Sequence, residues 1–267
     1  MGKQITFINA RVIDPKAEIE TSGAFTVNDG LIEKRDGGIE GAIIDCKGMC
    51  LAPGIVDIGV KICEPGEKHK ESFRSASNAA AAGGVTSLVT RPDTTPSIDT
   101  PELLEFFKNR GKEASKVRIF PTASLTKKNN GKKMTEIGFL HDGGAVGFTD
   151  GFNSIPDTKI FHQILRYASD FNTLIIGHPQ DHFLTKDTSA TNGVFASIKG
   201  ISSGPDTAEK IGMERDTALV SNLNIRYHAD QITTKIGLDV LRKAKATNKQ
   251  LTAGTSIHHI LFNELDI

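Results

Sequence analysis

At 267 residues the chain is long enough to bury a sizeable core and to form one or two domains. Lysine plus arginine equals aspartate plus glutamate at 32 each, so the net charge of +0 gives no general pull toward nucleic acid or an anionic membrane. Hydrophobic content of 38% and charged content of 24% are those of an ordinary globular protein, and no apolar run approaches the ~20 residues that cross a bilayer.

The opening stretch, MGKQITFINARVID, lacks the apolar core of a signal peptide and reads as a strand. AFTVNDGLIEK and GAIIDCKGMCLA continue the strand pattern, and Asn28-Asp29-Gly30 between apolar segments is a hairpin signal. Residues 1–50 therefore read as a small β module. Cys46, Cys50 and Cys63 are an odd number without a paired repeat, which points to free thiols in a reducing cytoplasm. Cys46 and Cys50 are spaced like loose zinc ligands, but no second pair completes a site, so both are expected to be core thiols.

From Leu51 the pattern changes. LAPGIVDIGVKICEPG carries an apolar run between Pro53-Gly54 and Pro65-Gly66, and predicts a short, well-buried strand. An alanine-rich helix follows over Glu71–Ala82 and stops at Gly83-Gly84. VTSLVTRP is a strand, and Thr100-Pro101-Glu102 opens a helix that ends near Gly111. KVRIFPTAS and GAVGFTD are the next strands. Ile160, Phe161, Ile164, Leu165, Ala168 and Phe171 then recur at helical spacing over Asp157–Phe171. TLIIGH is a strand, and a glycine-containing loop leads to a helix over Ala208–Ser221. NIRYHAD, the helix Thr234–Ala246 and the strand QLTAGTS complete the series. Such alternation implies parallel β/α units, in an open doubly wound sheet or a (β/α)8 barrel. About seven strands are counted from Leu51, where a closed barrel has eight.

Several blocks along the chain carry a more specific message. They are Glu64-Pro65-Gly66 with Lys70-Glu71, AAAAGGVT over Ala79–Thr86, Arg91-Pro92-Asp93-Thr94 and GAVGFTD over Gly144–Asp150. They continue with His178-Pro179-Gln180-Asp181, Tyr227–Thr233 and Ile257-His258-His259. In this order they resemble the dihydroorotases of the cyclic amidohydrolase superfamily. The resemblance implies a β module over 1–50, part of a composite β domain, and an amidohydrolase-type (β/α)8 barrel over 51–267 whose last strand or strands are missing. It also implies hydrolysis of a cyclic amide in pyrimidine biosynthesis, by metal ions that polarise the carbonyl and acidify a bound water. The ligands for such ions come from the C-terminal ends of the barrel strands.

At the positions that carry this chemistry the chain departs from the family pattern. The histidine-any-histidine pair of the first strand is Gly59 and Lys61, the arginine that would clamp a substrate carboxylate is Cys63, and the asparagine is Asp93. The sixth-strand ligand is Gln231. His178 and Asp150 are retained, although the acidic neighbour of Asp150 has become Gly151. Two residual ligands fall short of the three or more of a catalytic zinc, so no cofactor is expected, and Asp150 is the residual catalytic candidate. By strand alternation Arg91 shares a face with Asp93, which leaves compensation for the lost clamp and pairing with Asp93 both open. Each survivor also has a structural reading: His178 and His228 as hydrogen-bonded histidines, Asp150 as a turn cap, His258 and His259 as strand neighbours facing opposite sides. The Lys127–Lys133 cluster reads as a solvated loop, with anion binding as its alternative.

With these departures the chain resembles the non-catalytic dihydroorotase homologues of bacteria, and the resemblance implies assembly with aspartate carbamoyltransferase or with itself. The alternative is an active zinc-dependent dihydroorotase with an unusual metal site. A metal-free module that binds a small anion through Lys61 is a third reading. All place the protein in the cytoplasm, without nucleic-acid or membrane partners.

Overall fold

The computed structural model describes residues 4–35, 41–223 and 225–266; expectations that rest on residues 1–3, 36–40, 224 and 267, including the first position of NIRYHAD, lie outside the described residues. The chain divides into two compact units, Met1–Ile55 and Val56–Ile267.

In the first unit β1 (Gln4–Asp14), β2 (Ile19–Asn28), β3 (Leu31–Arg35) and β4 (Ala42–Asp45) lie in the order β3-β2-β1-β4, and the short β5 (Cys50–Leu51) also pairs with β1. The expected hairpin joins β2 to β3. Its turn residues Asp29 and Gly30 have φ of 47° and 78°, the left-handed backbone that a tight two-residue hairpin requires. Ala10, Val12, Phe25 and Cys46 form the core of this sheet. Cys46 is thus a core thiol as expected, but Cys50 is exposed, because β5 turns Leu51 rather than Cys50 inward. All three cysteines are free.

The second unit opens within β6 (Ile55–Val60) and contains α1 (Phe73–Ala82), β7 (Val85–Thr90), α2 (Pro101–Ala114), β8 (Arg118–Pro121), α3 (Ile137–Asp142) and α4 (Thr158–Ser169). It continues through β9 (Leu174–Gly177), β10 (Ala190–Thr191), α5 (Val194–Lys199), β11 (Ser203–Gly204) and α6 (Thr207–Ser221). It closes with β12 (Arg226–Ala229), α7 (Lys235–Thr247), β13 (Leu251–Ala253) and α8 (Ile257–Leu261). The helix starts follow their caps: Ser72 exchanges hydrogen bonds with Ser75 at α1, and Thr100, Asp157 and Thr234 cap α2, α4 and α7. Helix α2 runs through Gly111 to Ala114. Gly111 is not its stop signal but its contact with β8, where a Cβ would come within 3.2 Å of Ile119.

The strands form the series β6-β7-β8 and β9-β12-β13, with β7/β8, β9/β12 and β12/β13 parallel. GAVGFTD joins the two groups, but as an isolated bridge rather than a strand. Phe148 pairs in parallel with Ala123 on one side and Ile175 on the other. Gly144 and Gly147 supply no side chains to stiffen an extended ladder, and Gly147 lies so close to Leu174 that a Cβ would sit 3.2 Å from its carbonyl oxygen. The strand expected at Ile55–Val60 is present but not buried: Ile55, Val56 and Ile58 are half exposed or more, at 57%, 56% and 50%. Among the described residues β6 pairs on one side only, so its apolar sequence lacks the second neighbour that burial requires. His258 and His259 lie on the exposed helix α8, not on a strand, so the expected alternation does not apply to them. Among the described residues no helix is long and apolar enough to cross a membrane.

Candidate functional site at the carboxyl rim of the parallel strands

Strands β7, β9 and β12 each deliver a polar residue immediately after their last position: Arg91, His178 and Asp230. Backbone hydrogen bonds align these ends, from Arg91 N to the Val60 carbonyl at 2.8 Å and from Asp230 N to the Gly177 carbonyl at 2.8 Å. The segment after Asp230 is fixed from α6. There the buried Glu209 carboxylate accepts from the amide and hydroxyl of Thr233, both at 2.9 Å, and from those of Thr234 at 3.0 and 2.7 Å.

The centre of the rim is an ion pair. Arg91 Nη2 donates to Asp230 Oδ2 at 2.8 Å, and both side chains are almost fully buried. The guanidinium also lies 3.8 Å from the centroid of the Phe152 ring, a cation–π contact. Gly59 lies against it as well. At φ +88° this residue occupies the left-handed region, and a Cβ there would come within 3.3 Å of Arg91 Nε and 3.4 Å of Nη2. A cavity of about 10 Å³ remains between Gly59, Arg91 and Asp230, far below the ~300 Å³ of a small-molecule site. Larger hollows border the neighbouring strand ends: one of about 600 Å³ is lined by Ile232, Thr233 and Gly254, and one of about 240 Å³ by Gln180, Thr233 and Glu209.

Lys61 sits outside this pair, partly exposed, with its ammonium 3.4 Å from Asp93 and 3.9 Å from Glu67. Of the two options for Arg91, pairing with Asp93 is therefore not the one adopted; Lys61 takes Asp93 and Asp230 takes Arg91. Cys63 is a buried free thiol. Gln231 follows Asp230 at φ 62°.

Asp150 faces a different partner. Its carboxylate accepts from Thr126 N at 2.9 Å and from the Thr126 hydroxyl, which in turn accepts from Gly131 N at 2.9 Å. It caps the loop over 126–131 rather than its own turn. Burial pushes its carboxyl from the ordinary 3.8 up to about 6, against the opposing pull of the Thr126 and Leu125 donors. His178 has its pKa lowered first by burial, then modulated by Asp230, which raises it, and by Arg91, which lowers it. Its ring meets Phe152 edge-on at 6.0 Å, and its buried Nδ1 has no hydrogen-bond partner among the described residues. His228 bonds the Thr252 hydroxyl at 2.8 Å. The lysine loop is anchored through Asp99, whose carbonyl accepts from Lys127 Nζ and whose carboxylate accepts from Lys128 N, both at 2.8 Å.

The rim thus brings together Gly59, His178 and the unforeseen Asp230 and Phe152, while Asp150 is committed to its loop. Asp230 had one signal in the sequence: an acid directly after a strand, adjacent to the Gln231 position. Among the described residues no three His, Cys, Asp or Glu side chains converge as a metal site would need. With a guanidinium beside Gly59, an ammonium at Lys61 and an amide at Gln231, the donor set does not fit a catalytic zinc.

A family model described as dihydro-orotase-like matches residues 48–237. A dihydroorotase-like protein of Pseudomonas putida is 33% identical over 264 residues, covering 97% of this chain and 62% of that protein. The dihydroorotase of Bacillus subtilis is 34% identical over 252 residues, covering 94% and 58%. The chain therefore spans about three fifths of the length of these curated relatives. Among solved structures, an L-hydantoinase from Arthrobacter aurescens superposes with a TM-score of 0.80 at 20% identity, over 94% of this chain and 58% of that one. A Saccharomyces cerevisiae dihydroorotase in complex with 5-fluoroorotic acid gives 0.60 at 14% identity, over 80% and 58%. The fold is the α/β fold of the amidohydrolase (β/α)8-barrel enzymes, as expected.

Proposed function

The chain belongs to the dihydroorotase-like family, and from that premise we propose that it is a catalytically silent dihydroorotase homologue of pyrimidine biosynthesis. It acts by protein contact, as a subunit or scaffold for aspartate carbamoyltransferase. The observation that carries this reading is the Arg91–Asp230 pair against Gly59. It occupies the strand ends where a hydrolase of this family needs metal ligands, and puts a fixed positive charge there. Lys61 supports it too, because its ammonium faces Asp93 and Glu67, a poor arrangement for recognising an anion.

A second reading, an active zinc-dependent dihydroorotase, draws support from relatives that carry that name at 33–34% identity and from His178, whose lowered pKa favours the neutral, ligand-ready ring. Elemental analysis of the purified protein, beside dihydroorotate hydrolysis with added zinc, separates the two. The expected result is substoichiometric metal and no turnover, with co-purification of aspartate carbamoyltransferase; stoichiometric zinc with turnover overturns the silent reading. Self-association without the transferase would restrict the contact to copies of this chain.

A further inference from the structure

We propose that the Arg91 guanidinium is the resident cation of this rim, and that the missing side chain at Gly59 is what admits it, so that Arg91 and a metal ion are alternatives for one place. The inference rests on the misfit of the donor set to zinc described above. Loss of the first-strand ligands could have been simple decay, with each position drifting alone. The geometry points instead to one exchange with matched parts.

A buried guanidinium is tolerated only when it is paired and packed. Asp230 supplies the counter-charge at 2.8 Å and Phe152 the ring face at 3.8 Å. Gly59 supplies the space, since even one methyl group there would press on Nε at 3.3 Å, and a histidine would press harder. Lys61 completes the arrangement by taking Asp93, which leaves Arg91 to Asp230. A divalent cation in the same place would meet a fixed positive charge a few ångströms away, with the Asp230 carboxylate as the counter-charge they would share. Position 59 and position 91 are therefore coupled: a side chain at the first crowds the guanidinium at the second and is accommodated more easily once that guanidinium is gone.

The test is a double-mutant cycle with Gly59→Ala and Arg91→Leu in the full chain, read by urea unfolding. The backbone strain of a non-glycine residue at φ +88° is present with or without Arg91 and cancels in the cycle. Gly59→Ala is expected to be less damaging in the Arg91→Leu background, by roughly tenfold in the unfolding constant. Equal cost in both backgrounds overturns the proposal. A metal readout separates it from a merely structural arginine. Zinc, titrated into Gly59→His/Lys61→His protein and followed by elemental analysis after desalting, should be retained only when Arg91→Leu is added. Equal retention with and without Arg91 overturns it. Neither measurement involves aspartate carbamoyltransferase or turnover, so the scaffold reading can fail while this one stands, and the reverse.

Discussion

Two buried carboxylates at the carboxyl rim are neutralised in different ways. Asp230 is held by a formal charge, the Arg91 guanidinium, whereas Asp150 is held by dipoles, the amide and hydroxyl of Thr126. The difference decides what each can do. An ion pair out of water depends on both members, and removing one strands the other's charge. A dipole-held carboxyl has another way to shed its charge: it can take up a proton, and burial outweighs the Thr126 and Leu125 donors to raise Asp150 to about 6. The first arrangement is a fixed plug and the second a loop anchor that responds to pH.

Three measurements can break or sharpen that contrast. The largest effect is expected for Asp230→Ala, which leaves Arg91 buried without a counter-charge and should cost about 3–5 kcal/mol in urea unfolding at pH 7. A cost under about 1 kcal/mol would mean that the guanidinium finds water or another acid, and the plug would be no stronger than a surface pair. Next comes the pH dependence of Asp150. Because its folded pKa is raised, the folded state holds the proton more tightly than the unfolded chain. The resulting stability is fully present below about 3.8 and is lost as pH rises through about 6. Relative to Asp150→Asn, which does not titrate, the wild type should therefore lose about 3 kcal/mol between pH 3.5 and 7.5, from roughly 1.4 kcal/mol per pKa unit. A flat difference across that range would show the Thr126 donors to be as effective as a charge. The smallest effect is expected for Lys61→Met, at most about 1 kcal/mol, since its contacts of 3.4 and 3.9 Å are partly exposed. A loss comparable to that of Asp230→Ala would instead make Lys61, Asp93 and the Arg91 pair one network.

The frame of the barrel was legible because its signals are local. Caps at Thr100, Asp157 and Thr234, the hairpin at Asp29-Gly30 and the helical spacing of α4 each act within a few residues. The block Glu64-Pro65-Gly66 belongs to the same frame. Glu64 accepts from Arg110 at 2.9 and 3.2 Å and from Phe73 N at 3.2 Å, and so ties α2 to the start of α1. For two of the expectations that failed, the deciding partner was remote. The burial of β6 depends on a second neighbouring strand, and GAVGFTD depends on what glycine-rich backbone can pair with on both sides.

The sequence by itself determined that Gly59, Lys61 and Gln231 could not serve as ordinary zinc ligands, because that follows from the chemistry of each side chain alone. It also carried the alternating β/α order and the family to which that order belongs. Only the tertiary structure decided which charges meet beside those positions. Arg91 and Asp230 are 139 positions apart and meet because β7 and β12 end at the same rim. Asp93 and Asp150 find their partners in Lys61 and Thr126 by the same packing. Which charge a buried acid faces is set by distances of a few ångströms between strand ends, and those distances exist only once the sheet has formed.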